Sequence, residues 1–448
     1  MSTQLQAWNI EYNESFQAEH LEPQPDLVIV GNACKPSNPE AQTALTSNIP
    51  CTSMPQAIHD FFLKTRQNIV VCGTHGKTTT TALIGHLLTH TQAQKPGLLV
   101  GGVCPNFNGS FQIPESDVFV IEGDEYDSAL FDKVPKFTHY NPTYAVLTSI
   151  EFDHADIYDD IDQITNAFER LMPLVPTQGR LWVCQDYPLA LEVAKACKAP
   201  VKTYSASTQA NVFATEIEVR EEGIQFKVHT QSGEWGKLNS PLFGRYNLAN
   251  TLAAVGIALD FGLSLEQIQA GLSSFEGIRR RQEIIAQFGD LLLFDDFAHH
   301  PTAIRVTTQA IRERFPQRRI WGIFEPRSNT ARRNFFQNDL PKSFDACDIV
   351  VFGWPYAYEK TPEDQRLDIE QVVSDLQGRG KRAAAFPHIE GRIQDLYDWN
   401  AAKAAAGIYS NVEDMSQWLK MLLNEGKVGE QQMLSEETLD YLFRQHTP

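Results

Sequence analysis

Gly73-Thr74-His75-Gly76-Lys77-Thr78-Thr79-Thr80 lies between an apolar run ending Ile69-Val70-Val71-Cys72 and a helical pattern opening Ala82-Leu83-Ile84. A strand that turns into a helix through such a loop reads as a phosphate cradle. Its glycines let backbone N–H groups approach an anion, the helix N-terminus adds partial positive charge, Lys77 reaches terminal phosphates, and the Thr78 hydroxyl suits Mg²⁺. The loop departs from the strict pattern, because Val71 stands where a glycine would lie five residues before Gly76. A plain Gly-Lys-Thr turn is the competing reading, and the strand-loop-helix context weighs against it. Gly73, Thr74, His75, Gly76, Lys77, Thr78 and Thr79 are thus candidate nucleotide contacts.

A chain of 448 residues with 42% hydrophobic residues has room for about three domains. No apolar run approaches the ~20 residues that span a bilayer, and Met1-Ser2-Thr3-Gln4 opens no secretory leader. The expectation is a cytoplasmic protein without a membrane partner. Its seven cysteines are scattered without a C-x-x-C pair, which points to buried thiols rather than a disulfide framework or zinc site. A net charge of -18 argues against a nucleic-acid partner, whose backbone needs a basic footprint. A polyanionic ligand would need local cations, and Arg279, Arg280, Arg281, Arg305, Arg327, Arg332 and Arg333 cluster in one part of the chain.

The first segment has one clear strand, 26–31, and a helical stretch from Met54 to Lys64. From Asn68, apolar strands alternate with helical patterns: 98–103, 118–121, 144–150 and 181–184. This alternation predicts an α/β fold with a doubly wound, mostly parallel sheet. Residues 213–230 alternate polar and apolar positions and read as antiparallel edge strands; a helix carrying Asn247 and Asn250 follows. A third unit after Gly277 has strands at 291–294, 320–324 and 349–352, and Ser274 to Gly277 reads as the hinge.

Other segments carry chemistry at strand ends, where doubly wound sheets collect ligands. Ile121-Glu122-Gly123-Asp124-Glu125-Tyr126-Asp127 places Glu122 to ligate Mg²⁺, directly or through water, unless the loop is a solvated turn. Glu151-Phe152-Asp153-His154 ends another strand, and His154 is either a second metal ligand or a polar loop residue. Asn247 and Asn250 share a helical face and could bind adenine or phosphate, or Asn247 could cap the helix. Arg281 and its neighbours could hold phosphates bidentately. In Phe294-Asp295-Asp296-Phe297-Ala298-His299-His300-Pro301, an aspartate suits ribose hydroxyls and the His pair reads as more than structure.

Taken in order, Gly73 to Thr80, Glu122, Glu151 to His154, Gly244 to Asn250, Arg279 to Arg281 and Asp295 to Pro301 resemble the Mur ligase family, the ATP-dependent amide ligases of peptidoglycan synthesis. The resemblance covers roughly residues 1–388. It implies three domains with a P-loop central sheet: 1–65 for the UDP-sugar, 66–276 for ATP and 277–395 for the amino substrate. Ile121 to Asp127, Phe152 to Ile157 and Phe324 to Thr330 look most like members that recycle murein tripeptide by joining L-Ala-γ-D-Glu-meso-diaminopimelate to UDP-N-acetylmuramate. The resemblance then implies ATP and Mg²⁺ as cofactors, with the lactyl carboxylate activated as an acyl phosphate that the tripeptide amine displaces. Catalytic duty falls to Lys77, Glu122, His154 and His299. Thr78, Glu122 and His154 map to the metal, Asn247, Asn250 and Arg281 to the nucleotide, and Asp295 or Asp296 to the ribose. The division of roles between His299 and His300 stays open.

Two departures qualify the match. Family members begin with a strand and glycine-rich turn that grip the UDP diphosphate, and this chain starts after that point, so its N-terminal domain is expected to be incomplete. From about Leu396 the tail, 396–448, resembles a segment of serine β-lactamase-like hydrolases, although no Ser-x-x-Lys nucleophile motif occurs. The alternatives are therefore a UDP-N-acetylmuramate–L-alanine ligase, a non-catalytic nucleotide-binding remnant, or such a hydrolase.

Overall fold

The structure, a computed structural model, describes residues 5–386 except 7, 92–93 and 356–357, together with a short ribbon at 427–428 and 431–432. The expected β-lactamase-like tail lies, apart from that ribbon, outside the described residues. A ten-stranded sheet organises the centre. Seven of its strands run parallel, in the order Val212–Arg220, Val201–Ser205, Arg180–Cys184, Pro142–Leu147, Gln67–Cys72, Val118–Gly123 and Gly97–Cys104. Gly223–Thr230 and Gly233–Ser240 extend one edge antiparallel, and Gly109–Gln112 closes the other.

Gln67–Cys72 shows why the sheet is covered on both faces. Ile69, Val70, Val71 and Cys72 are all fully buried, yet Ile69 and Val71 join one core while Val70 and Cys72 join the other. A continuous apolar run is what a strand needs when its alternating side chains meet helices on each side. Helices Lys77–Thr91 and Arg245–Asp260 fill the first core, and Ile161–Glu169 and Pro188–Ala194 the second. Gln67–Cys72 pairs with Val118–Gly123 on one side and Pro142–Leu147 on the other, with Cys72 opposite both Gly123 and Leu147. The loops that leave these three strands therefore emerge side by side.

Ahead of this sheet, Val28–Val30 and Cys51–Ser53 pair parallel around helix Pro39–Thr46, and the expected Met54–Lys64 helix is an α segment, Met54–Ile58, that widens into a π turn, His59–Leu63. After it, Trp321–Phe324, Ile349–Gly353 and Arg382–Phe386 form a parallel sheet over a core of Phe324, Phe344 and Phe352. Leu291–Asp295 does not join them. It pairs with Glu283–Phe288 in a hairpin whose loop is Gly289-Asp290, a two-residue connection that brings the chain straight back on its neighbour.

Ser274–Gly277 is the stretch expected to join these units. That stretch is held to the central sheet: Asn106 Nδ2 donates to Ser274 O at 2.8 Å, Asn106 Oδ1 accepts from Glu276 N at 2.9 Å, and Arg279 N donates to Val103 O at 2.9 Å. Arg280 is already bonded to the other side, its carbonyl accepting from Phe297 N at 2.8 Å. Arg280 and Gln282 both adopt the left-handed backbone, with φ of 61° and 51°. Asn106→Ala removes both side-chain anchors, at about 1 kcal/mol each, and is expected to speed limited proteolysis between 274 and 282 while thermal unfolding of the central sheet stays close to wild type.

Candidate active site

Three adjacent parallel strands end at the site. Gly73 follows the first with φ of 126°, and a Cβ there would lie 2.2 Å from Thr148 Oγ1 and 2.8 Å from Ser149 N. Only glycine permits that approach, which seats the phosphate loop on the end of Pro142–Leu147. Thr74 N donates to Ser149 O at 3.0 Å, Ser149 Oγ accepts from His75 N at 2.9 Å, and Thr148 Oγ1 donates to Cys72 O at 3.1 Å. Gly76, with φ of 81°, lies against Asn250, whose Oδ1 would be 2.4 Å from a Cβ at that position.

Lys77 opens the helix and turns its ammonium back over the loop, donating to Gly73 O at 2.6 Å and to Glu125 Oε2 at 2.7 Å. Glu125 is 1% exposed; its other oxygen lies 3.0 Å from His154 Nε2, and its carbonyl accepts from Tyr158 OH at 2.6 Å. Burial pulls Lys77 down, but the carboxylates of Glu125, Asp124 and Glu122 outweigh it and hold the ammonium above its ordinary pKa. Burial lowers His154 too, and the Glu125 bond and charge more than restore it, leaving the ring above its usual value.

Glu122 faces a different partner. Its carboxylate accepts from Thr78 Oγ1 at 3.0 Å and from Gly101 N at 2.7 Å. Burial raises its pKa, and Lys77 and these bonds offset only part of that. The expected metal set is thus arranged as two pairs, Thr78 with Glu122 and His154 with Glu125. Asp124, Glu125 and His154 also bring ligand atoms within 4.8 Å of one another, with Asp124 bonded to Lys136 at 2.6 Å.

Asn247 and Asn250 are 4% and 6% exposed. Asn247 Nδ2 donates to Phe243 O at 2.9 Å and Asn250 Nδ2 to Asn247 Oδ1 at 3.1 Å, while Gly244 holds the N-cap position. Asn247 is therefore not the helix cap. Asp296 accepts from the backbone N–H groups of Gln282 and Ala298, each at 2.8 Å, so it ties the crossing segment to the loop after its own strand. Asp295 lies 3.3 Å from Arg280 Nε, and Arg281 packs over Phe297 with its guanidinium 4.9 Å from the ring centre.

His299 and His300 separate by role. His300 caps helix Pro301–Arg314: its Nδ1 accepts from Thr302 N at 3.2 Å, and its Nε2 donates to Phe152 O at 3.0 Å. It also approaches the P-loop, with its ring 4.7 Å from that of His75 and its Nδ1 3.7 Å from Glu151. His299 Nδ1 donates to Phe297 O at 3.0 Å, and Nε2 lies 3.6 Å from Asp153. Burial pushes Asp153 up, but the His299 bond and the nearby imidazoles hold it well below the usual carboxylate range. Sequence reasoning overlooked Glu125, Thr148, Ser149 and Thr330 as site residues. A signal existed for His300, since a residue before a helix-opening proline is an N-cap.

The matches to known proteins follow this geometry. Residues 71–258 match the Mur ligase middle domain, and residues 248–408 match the Mur ligase glutamate ligase domain. The UDP-N-acetylmuramate–L-alanyl-γ-D-glutamyl-meso-2,6-diaminoheptandioate ligase of Escherichia coli is 40% identical over 79% of this chain and 77% of its own length.

The chain belongs to the Mur ligase family.

Among solved structures, a murein peptide ligase from Psychrobacter arcticus is 31% identical, with a TM-score of 0.65 over 91% of this chain and 86% of that one. The UDP-N-acetylmuramate–L-alanine ligase of Desulfitobacterium hafniense is 33% identical over 84% of this chain and 81% of its own. Mur ligases are ATP-dependent, ADP-forming amide ligases, and this chain shares their three-domain α/β architecture. Among the described residues no helix is long and apolar enough to cross a membrane.

Burial and the neighbouring His75 depress His300 to about 4. Between its ordinary value near 6.5 and that figure the unfolded chain binds the extra proton and the folded one does not, so stability falls as pH drops through this window. His300→Gln is expected to flatten that part of a Tm-versus-pH curve, leaving the slope above pH 7 unchanged.

Proposed function

We propose that this Mur ligase joins the amino group of L-Ala-γ-D-Glu-meso-diaminopimelate to the lactyl carboxylate of UDP-N-acetylmuramate, with ATP going to ADP and phosphate. The observation that carries the reading is the 40% identity to a relative named for that reaction, against 33% to the alanine ligase of Desulfitobacterium hafniense. On this reading residues 1–65, 66–276 and 277–395 serve the UDP-sugar, ATP and the amino substrate.

The chemistry sets the demands on the residues. A carboxylate oxygen bonds to the γ-phosphorus as the bond to ADP breaks; the amine then attacks the acyl carbon, loses a proton, and phosphate leaves. Carboxylate and triphosphate repel, and at ~4 Å with an effective dielectric near 20 each unit pair is worth about 4 kcal/mol. Lys77 supplies positive charge at the loop, and the amides of Gly73 to Thr79 receive phosphate oxygens. Asn247, Asn250, Arg281 and either Asp295 or Asp296 serve the nucleoside, and His299 the junction with the acceptor. A buried Glu122 whose pKa stays raised, beside a threonine hydroxyl, fits a cation. Thr78, Glu122 and His154 would hold Mg²⁺, which when bound neutralises phosphate charge.

The test is product and requirement together. Mass spectrometry is expected to find UDP-muramyl tripeptide, with ADP release needing both UDP-N-acetylmuramate and tripeptide. Lys77→Ala is expected to lower turnover at least a hundredfold with the fold intact by circular dichroism, in the range for removing one preorganised charge. Turnover with alanine in place of tripeptide would assign the chain to the alanine ligases, and ADP release at one rate with or without the substrates would sink the reading.

A further inference from the structure

His154 sits in the left-handed backbone region, with φ of 58°. A non-glycine residue holds that conformation only where its surroundings determine it. The central unit contributes Glu125 at the ring and Asp153 Oδ1, which accepts from His154 N at 2.7 Å. Tyr126 packs on the same ring with centres 4.2 Å apart, and the amides of Ile157 and Tyr158 donate to His154 O, whereas the side-chain hydrogen bonds to the backbone of Phe152 and Ala155 come, among the described residues, from the C-terminal unit. His300 Nε2 donates to Phe152 O, Ala155 N donates to Thr330 Oγ1 at 3.1 Å, and Arg333 Nη1 donates to Ala155 O at 3.1 Å. Beyond them, Asn329 Nδ2 donates to Asp156 Oδ2 at 3.3 Å, and Phe335 packs on Phe152 with ring centres 5.5 Å apart.

Both polar groups of Ala155 are thus satisfied by the C-terminal unit. Ala155 is 8% exposed and Thr330 is 3% exposed, so water has little access to replace either partner, and a buried peptide group left unpaired is costly. We propose that Thr330, with Arg333, is a positioning residue for His154: docking of the C-terminal unit on Ala155 fixes the imidazole where the reaction needs it. Neither residue reaches the reacting atoms; each acts through the loop. The inference rests on the reading of His154 as part of the reactive centre. It gives a function to the end of the Phe324 to Thr330 segment, where the Thr330 hydroxyl bonds the backbone of the ATP-binding unit and Asn329 bonds the Asp156 side chain.

The experiment uses the full-length protein with ATP, UDP-N-acetylmuramate and tripeptide. Thr330→Val keeps shape and loses the acceptor, whereas Thr330→Ser keeps it. The expected result for Thr330→Val is a fall in kcat of at least tenfold, as a displaced catalytic group gives, with KM for ATP within about twofold of wild type. Hydrogen exchange at the Ala155 amide is expected to quicken in the same variant, and Thr330→Ser to restore both readouts. Should Thr330→Val fail to fold, Arg333→Met asks the same question from the carbonyl side. An unchanged kcat, an equal loss in the serine variant, or a loss without faster exchange at Ala155 overturns the proposal. His154→Ala separates the two layers: if it is inactive while Thr330→Val is normal, only this inference fails, and if it is active, the role given to His154 fails and takes the inference with it.

Discussion

A lysine ammonium and a carboxylate, 2.7 Å apart and almost out of water, hold this site together. Lys77 belongs to the turn between the central strand and its helix; Glu125 belongs to the loop after the neighbouring strand. Their pairing fixes the distance between the two loops, and because Glu125 also faces His154, it fixes the third loop as well. Desolvating such a pair is expensive unless the geometry is good and the remaining lone pairs are used. Here they are used, by the imidazole on one oxygen and the ammonium on the other. The arrangement keeps the Lys77 ammonium charged at the cradle despite its burial.

The fold was largely readable because it depends on patterns with short periods. An apolar run such as Ile69 to Cys72 has few places to go other than the middle of a sheet covered on both faces, and Gly73 and Gly76 mark where backbone must come close to something else. The third unit was less legible. Leu291–Asp295 looks like any other apolar strand, and only the Gly289-Asp290 turn shows that its partner is the strand immediately before it. The surroundings of the joining stretch were hidden for a different reason: the anchors that hold Ser274 and Glu276 come from Asn106, far away in sequence.

At the site, sequence identified which loops matter more readily than which atoms face each other. The run Glu122-Gly123-Asp124-Glu125 offers three carboxylates within four positions, and the one that meets Lys77 is decided by how the chain leaves the sheet after Gly123. Asn247 and Asn250 were visible as a pair on one face, but not that Asn250 would lie against Gly76. Thr330 and Ala155 are 175 residues apart, and no local pattern joins them. Long-range contacts of this kind assemble the site, and they are the part that a single sequence states least directly.

The peptide between Arg279 and Arg280 has a consequence for how the molecule bends. At this peptide Arg279 N still bonds Val103 O of the central sheet while Arg280 O already accepts from Phe297 N, and two non-glycine residues there hold left-handed torsions that cost on the order of 1 kcal/mol each. Those torsions run against the intrinsic preference of Arg280 and Gln282, so the direction in which the polypeptide departs from the ATP-binding layer is held by the contacts on either side of the joint. Glycine at Arg280 or Gln282 would remove that cost and let the same exit angle be held by fewer contacts.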